Sequence, residues 1–289
     1  MICFGGAGFG LEGTLGDARL SLTVAPSGRI LRLDGVVQST SSDYLSRGRI
    51  VWFGVADLAL VSGPAEQRRK LLDSAGLQLA GSYARDLKDY DRSLRSRNLL
   101  LREGRTRREI EAYDKCLASS GDRIIDARAK LVERLAPMAA ESCQAISGEE
   151  LQISYLPGSA IPLLQALEES REDEIRLRHT RVGPHRDDVT ISLDRIPAGS
   201  FASQGQCRTV ALSLKLAVSK LLTIDHGSPP LLLLDDIFGE LDPKRRDALL
   251  KGMPTGTQAL LSTANFENVA LPEGSQAHRL ESGKLNPLF

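Results

Sequence analysis

The stretch from Pro229 to Leu250 reads PPLLLLDDIFGELDPKRRDALL. Its four leucines form a short continuous apolar run, the pattern of a strand buried on both faces of a parallel sheet. Two acids, Asp235 and Asp236, follow at once. Asp242-Pro243 is an N-cap followed by proline at the first helical position, so a helix starts there whatever the function. Charges beside four leucines are unfavourable unless a cation compensates them. In open α/β sheets the C-terminal edge of such a strand is where ligands sit.

These positions suit nucleotide chemistry. Asp235 can hold Mg²⁺ through water, because that ion keeps most of its hydration. Asp236 can orient or deprotonate the water that attacks the γ-phosphate of ATP. The plainer alternative is two acids capping a loop. Upstream, FASQGQCRTVALSLKLAVSKLL places Ser203, Gly205 and Gln206 at a helix start. A serine hydroxyl, an open glycine N–H and a helix N-terminus favour an anion. Alone, SxGQ would be an ordinary N-cap. Ahead of an LLLLDD strand it matches the order of an ABC-type ATPase: signature, helix, Walker B, D-loop.

The rest of the chain falls into three textures. Residues 1–63 are β-like: ARLSLTVAP and ILRLDG alternate about a turn, and Ile50–Phe53 reads as a buried strand. Residues 64–150 are helical, with two long stretches meeting near Gly104 as an antiparallel hairpin. That hairpin is either a packed subdomain or a projecting arm. Residues 151–289 alternate strands (LQISYLP, VTISLD, LLLLDD, QALLST) with helices, one of which carries Val210, Leu214, Ala217, Val218 and Leu221 on one face.

Five segments in order make the chain resemble the RecF family of bacterial recombination-repair ATPases: DLALVSGPAEQRRKLLD (57–73), YDRSLRSRNLLLREGR (90–105), VGPHRDD (182–188), ASQGQCRTVALSLKLA (202–217) and LLLLDDIFGELD (231–242). The resemblance implies an α/β ABC-type ATPase head, P-loop NTPase-like and like the heads of SMC proteins, with an inserted antiparallel helical arm. It implies ATP with Mg²⁺, an ATP-dependent homodimer, binding to single-stranded, gapped or double-stranded DNA, recombinase loading with RecO and RecR, and a part in the SOS response. Carried over by motif, Ser203, Gly205 and Gln206 are signature residues acting in trans. Asp235 is the metal ligand, Asp236 the catalytic acid and Asp242 part of the D-loop.

The departures lie at the front. No GxxxxGK followed by Ser or Thr occurs in the 289 residues, and the first lysine is Lys70. GGAGFG at 5–10 offers neither the lysine nor the hydroxyl. The head is therefore expected to be incomplete, with Met1 marking a truncated gene or a misplaced start. A gap is expected in the sheet beside Leu231–Leu234. Gly54-Val55-Ala56 and Gly239 also depart from the family pattern. GPHRDD is a family marker: His185 and Arg186 could reach phosphate, but a Gly-Pro turn with solvated charges is the simpler reading.

Net charge is zero, so any nucleic-acid contact needs a local patch. From Pro64 to Lys130 there are 16 Lys and Arg against 11 Asp and Glu. Arg102, Arg105, Arg107 and Arg108 crowd the turn of the hairpin and are the candidate DNA contacts, with Glu103 and Glu109 interleaved. Four scattered cysteines suit a reducing cytoplasm, and no apolar run spans a membrane. The alternative to a repair ATPase is a non-catalytic DNA- or partner-binding remnant. A transporter subunit is disfavoured by the long arm.

Overall fold

The computed structural model describes residues 6–38, 44, 47–236, 241–264, 273–281 and 283–288. Gly239 lies outside them.

The alternating N-terminal segment forms an antiparallel meander of β1 (Phe9–Leu15), β2 (Ala18–Ala25), β3 (Gly28–Leu33) and β4 (Val36–Gln38). Asp34 and Gly35 turn the last hairpin with φ of 51° and 82°, the pair of positive values that a two-residue turn of matching twist requires. After β5 (Ile50–Phe53) the chain becomes helical: α1 (Ala65–Leu79), α2 (Gly81–Glu103) and α3 (Arg107–Ser147). Gly104 ends α2 in the left-handed conformation, and a Thr106–Glu109 capping box starts α3. The two helices pack against each other as the hairpin.

The second half of α3 leaves the hairpin and enters the main core. Leu131, Leu135, Ala139 and Cys143 pack with β6 (Leu151–Leu156), β7 (Asp188–Leu193) and the helix that carries Val210, Leu214 and Leu221. Between β6 and β7 lies α4 (Leu163–Leu177), which packs against α3, and the short β8 (Ile196–Pro197) pairs antiparallel with β7. Helix α5 (Gln204–His226) is buried on more than the single face its spacing suggested: Ala211, Leu212, Leu216 and Leu222 are covered as well. It lies between α3 and a sheet, so both sides find apolar partners. Each such side chain contributes about 1.5–3 kcal/mol on burial.

That sheet is parallel, ordered β10 (Ala259–Ser262), β9 (Leu231–Asp235), β5. Strand β9 is paired on both sides, to β5 and to β10, so the expected gap beside Leu231–Leu234 is not there. Among the described residues the unpaired edges are those of β5 and β10. Nor is β9 buried on both faces. Leu232 and Leu234 face the core, while the row Trp52, Leu233 and Leu260 faces outward, with Trp52 43% and Leu260 56% exposed. In-register parallel pairing puts those three side chains on one side, where the Lys215 ammonium of the helix Gln204–His226 reaches to 5.8 Å from the Trp52 ring. After β9 come α6 (Pro243–Gly252) and a terminal hairpin of β11 (His278–Glu281) and β12 (Lys284–Pro287). No described helix is long and apolar enough to cross a membrane.

Candidate nucleotide half-site

Asp235 ends β9, and Asp236 follows it in the left-handed conformation at φ 53°. Both are exposed. Their partner is Ser262, the last residue of β10, in register with Asp235. The Ser262 hydroxyl donates to Asp235 Oδ1, and the Ser262 carbonyl accepts the Asp236 N–H at 3.0 Å. Sequence reasoning passed over Ser262. Its signal was a polar residue closing the apolar run QALLS beside the acidic strand end. Asp235 Oδ2 is left without a protein partner among the described residues, so the carboxylate keeps an oxygen for a hydrated cation.

Ser203 is the N-cap of α5. Its Oγ accepts the Gln206 N–H at 3.2 Å, and Gln206 Oε1 accepts the Ser203 N–H at 2.8 Å. Gln206 Nε2 donates to Glu149 at 2.7 Å, just after Gly148 terminates α3. The signature is thereby tied to the end of the long arm helix. Asp242 caps α6, accepting the Arg245 N–H at 3.0 Å. The Arg245 guanidinium pairs with Asp242 at 3.5 Å and reaches over Gly205, where a Cβ would stand 3.3 Å from Nη1. The structure thus brings Ser203–Gln206 and Asp242 together. Among the described residues no hydrogen bond or ion pair joins either to Asp235 or Asp236. A depression of about 730 Å³ on the β-meander, lined by Leu11, Glu12, Arg19 and Arg32 among others, shares no residue with these groups.

Gly54 holds a turn that sequence reading marked only as a departure. Its N–H is accepted by Asp57 at 3.0 Å, and Asp57 pairs with Lys215 of α5 at 2.9 Å. A Cβ on Gly54 would stand 2.4 Å from the Trp52 ring. Glycine is what lets the indole fold back there.

Apart from Arg186, which is exposed, GPHRDD is not a solvated turn. Asp187 is fully buried and accepts from Arg128 at 2.7 Å, from the Gly158 N–H at 2.7 Å and from the Tyr155 hydroxyl. Arg128 also donates to the Pro184 carbonyl and to Asp73 at 2.7 Å each. Burial works against the Arg128 charge, but Asp73, Tyr83 and Asp187 outweigh it and raise its pKa. Asp188 pairs with Arg68. His185 lies between the Tyr90 hydroxyl at 2.6 Å and the Thr180 carbonyl at 3.1 Å. A carbonyl only accepts, so Nε2 carries the proton and Nδ1 accepts from Tyr90. Burial pushes the His185 pKa down to about 4, which agrees with a neutral ring. The segment knots α1, α2, α3 and the β6–α4 connection together. Sequence alone could not show this, because each partner comes from a different part of the chain.

Of the arm-tip arginines, Arg105 pairs with Glu103, Arg107 pairs with Glu111 and faces Glu172, and Arg102 donates to the Asn98 carbonyl. Arg108 is exposed. Deeper in the hairpin, Arg97 is fully buried and pairs with Asp114 at 2.8 Å and Glu174 at 2.7 Å, while Arg171 pairs with Asp114 at 2.9 Å.

A central parallel strand ending in two acids, a capped SxGQ helix behind it and a long antiparallel helical hairpin define an ABC-type ATPase head. No family model matches the chain. Curated relatives do: the DNA replication and repair protein RecF of Rippkaea orientalis is 37% identical, over 96% of this chain and 80% of its own. RecF of Synechococcus sp. strain JA-3-3Ab is 37% identical, over 90% and 74%. A solved structure of the recombination mediator protein RecF with ATP, from the RecFOR pathway, superposes with a TM-score of 0.83 at 28% identity, over 94% of this chain and 76% of that one. The chain belongs to the RecF family of DNA replication and repair proteins.

Proposed function

We propose that this chain supplies the signature and Walker B half of a composite ATP site in a DNA-recombination mediator. One observation carries the reading: Asp235 and Asp236 stand exposed at the C-terminal end of the central parallel strand, held by Ser262. ATP with Mg²⁺ is supported by the RecF–ATP structures the chain resembles and by the free oxygen of Asp235. Bound there, Mg²⁺ would neutralise charge building on the phosphates. Asp235 would orient the cation's water shell, and Asp236 would hold the attacking water and accept its proton. Ser203 and Gly205 act in this reading on ATP gripped by a second subunit. Their hydroxyl and N–H would meet the γ-phosphate, with Gln206 holding the serine in place and Asp242 aligning the dimer. In this reading residues 1–63 and 151–289 are two lobes of one head, and residues 64–150 the arm. The partners are DNA, RecO- and RecR-type mediators and a second RecF-type subunit, in the cytoplasm, with a role in the SOS response.

The 289 residues contain no lysine-bearing P-loop, so the chain alone should turn over no ATP. Mixed with a P-loop-bearing relative whose own signature serine is disabled, it should restore ATP-dependent dimerisation and slow turnover. Ser203→Arg should block both by filling the γ-phosphate position. With the P-loop segment supplied to this chain, Asp236→Asn should stop hydrolysis and spare binding. ATP turnover by the 289 residues alone would overturn the half-site. Failure to rescue, with no effect of Ser203→Arg, would favour a non-catalytic DNA- or partner-binding remnant.

A further inference from the structure

Gly205 occupies the second position of α5 without a left-handed φ, so its backbone does not require glycine. Glycine is also a poor helix former. A Cβ here would stand 3.3 Å from Arg245 Nη1 and 4.0 Å from Ser203 Oγ. Among the described residues no other atom outside its own turn comes within 4 Å. A helical Cα–Cβ bond tilts toward the N-terminus, the direction in which the N–H groups of the first turn also point. The missing side chain therefore leaves a space bordered by donors. The Gly205 N–H has no partner within the helix. The Ser203 oxygen accepts from Gln206, which leaves its hydrogen to donate. The third donor is the Arg245 guanidinium. Arg245 lies in the first turn of α6 and reaches the first turn of α5, the positive ends of both helices. Its carboxylate contact among the described residues is the long one to Asp242, 3.5 Å from Nε. An anion with several oxygens relieves both the crowded positive charge and the underused fork.

We propose that Arg245 is a third γ-phosphate ligand of the composite site, closing with Ser203 and Gly205 on the ATP held by a second subunit. The claim rests on the half-site reading above and adds the guanidinium to it. The planar fork donates to two phosphate oxygens and stabilises the charge spread over the transferred phosphoryl group. The neighbouring Arg246 is engaged elsewhere, donating to the Leu241 carbonyl at 2.7 Å.

The test is steady-state ATP turnover by the full chain, in saturating excess, mixed with a P-loop-bearing relative whose own signature serine is disabled. Arg245→Gln should lower kcat at least roughly tenfold. KM for ATP should stay within about threefold, because the partner's P-loop grips the nucleotide. Arg245→Lys keeps the charge without the fork and should fall between the two. Lys251→Gln removes the same charge from the far end of α6, where Lys251 pairs with Asp247, and should turn over as the unchanged chain does. Melting midpoints of the Arg245 variants should stay within about 2 °C of the unchanged chain. Turnover unaffected by Arg245→Gln but abolished by Ser203→Arg overturns the proposal and leaves the half-site standing. A loss that comes with a lowered melting midpoint, or an equal loss in Lys251→Gln, assigns the effect to folding or net charge and overturns the proposal as well. No turnover with the unchanged chain overturns both readings.

Discussion

Arg128 of the arm helix and Asp187 of GPHRDD form a 2.7 Å ion pair with side-chain exposures of 4% and 0%. The pair sits where the hairpin meets the head, and the other Arg128 nitrogens reach Asp73. A buried pair is weak evidence of stability relative to an apolar pair, but breaking it strands a charge. Asp187→Ala should therefore cost about 3–5 kcal/mol, read as a shift in urea midpoint at constant slope. A loss under about 1 kcal/mol would mean that solvent reaches Arg128.

His185 gives the fold a pH dependence. Its folded pKa of about 4 lies below the ordinary 6.5 because burial opposes the charged ring. The unfolded chain therefore takes up the proton first, and stability falls as pH drops from about 6.5 towards 4. The full effect is at most about 3 kcal/mol. Urea melts at pH 7.5 and 4.5 should differ less for His185→Gln than for the unchanged chain. Equal differences would show that the native ring is not held neutral.

Gly121 lies inside α3, where alanine would ordinarily gain about 1 kcal/mol in helix propensity. Here a Cβ would stand 2.3 Å from Leu163 Cδ2 and 3.1 Å from Tyr90 Cε2. Leu163 is fully buried and has little room to move, and overpacking costs about 1–3 kcal/mol. Gly121→Ala should destabilise, and adding Leu163→Ala should relieve the clash, so the double mutant should lose less than the sum of the two singles. Additivity would place the clash elsewhere.

Asp242 combines a cap with an ion pair to Arg245. Asp242→Ala should cost about 1 kcal/mol through the lost cap, while Asp242→Asn keeps the cap and should cost under about 0.5 kcal/mol. Equal losses for the two in thermal melts would assign the energy to the charge instead.

Sequence by itself determined the local elements. The Leu231–Leu234 run, the Ser203 and Asp242 caps, the break at Gly104 and the alternation on either side of Pro26-Ser27 each follow from bonds and side chains within a few residues. The candidate acids were legible for the same reason, since they follow a hydrophobic run directly. Tertiary structure alone decided what pairs across long separations. It put β9 between β5 and β10, set Ser262 beside Asp235, tied Gln206 to Glu149 and turned Asp187 inward onto Arg128. Those outcomes depend on which surfaces meet when helices and strands far apart in the chain pack. A charge reads as solvated until the structure shows the opposite charge, from another helix, that lets it be buried.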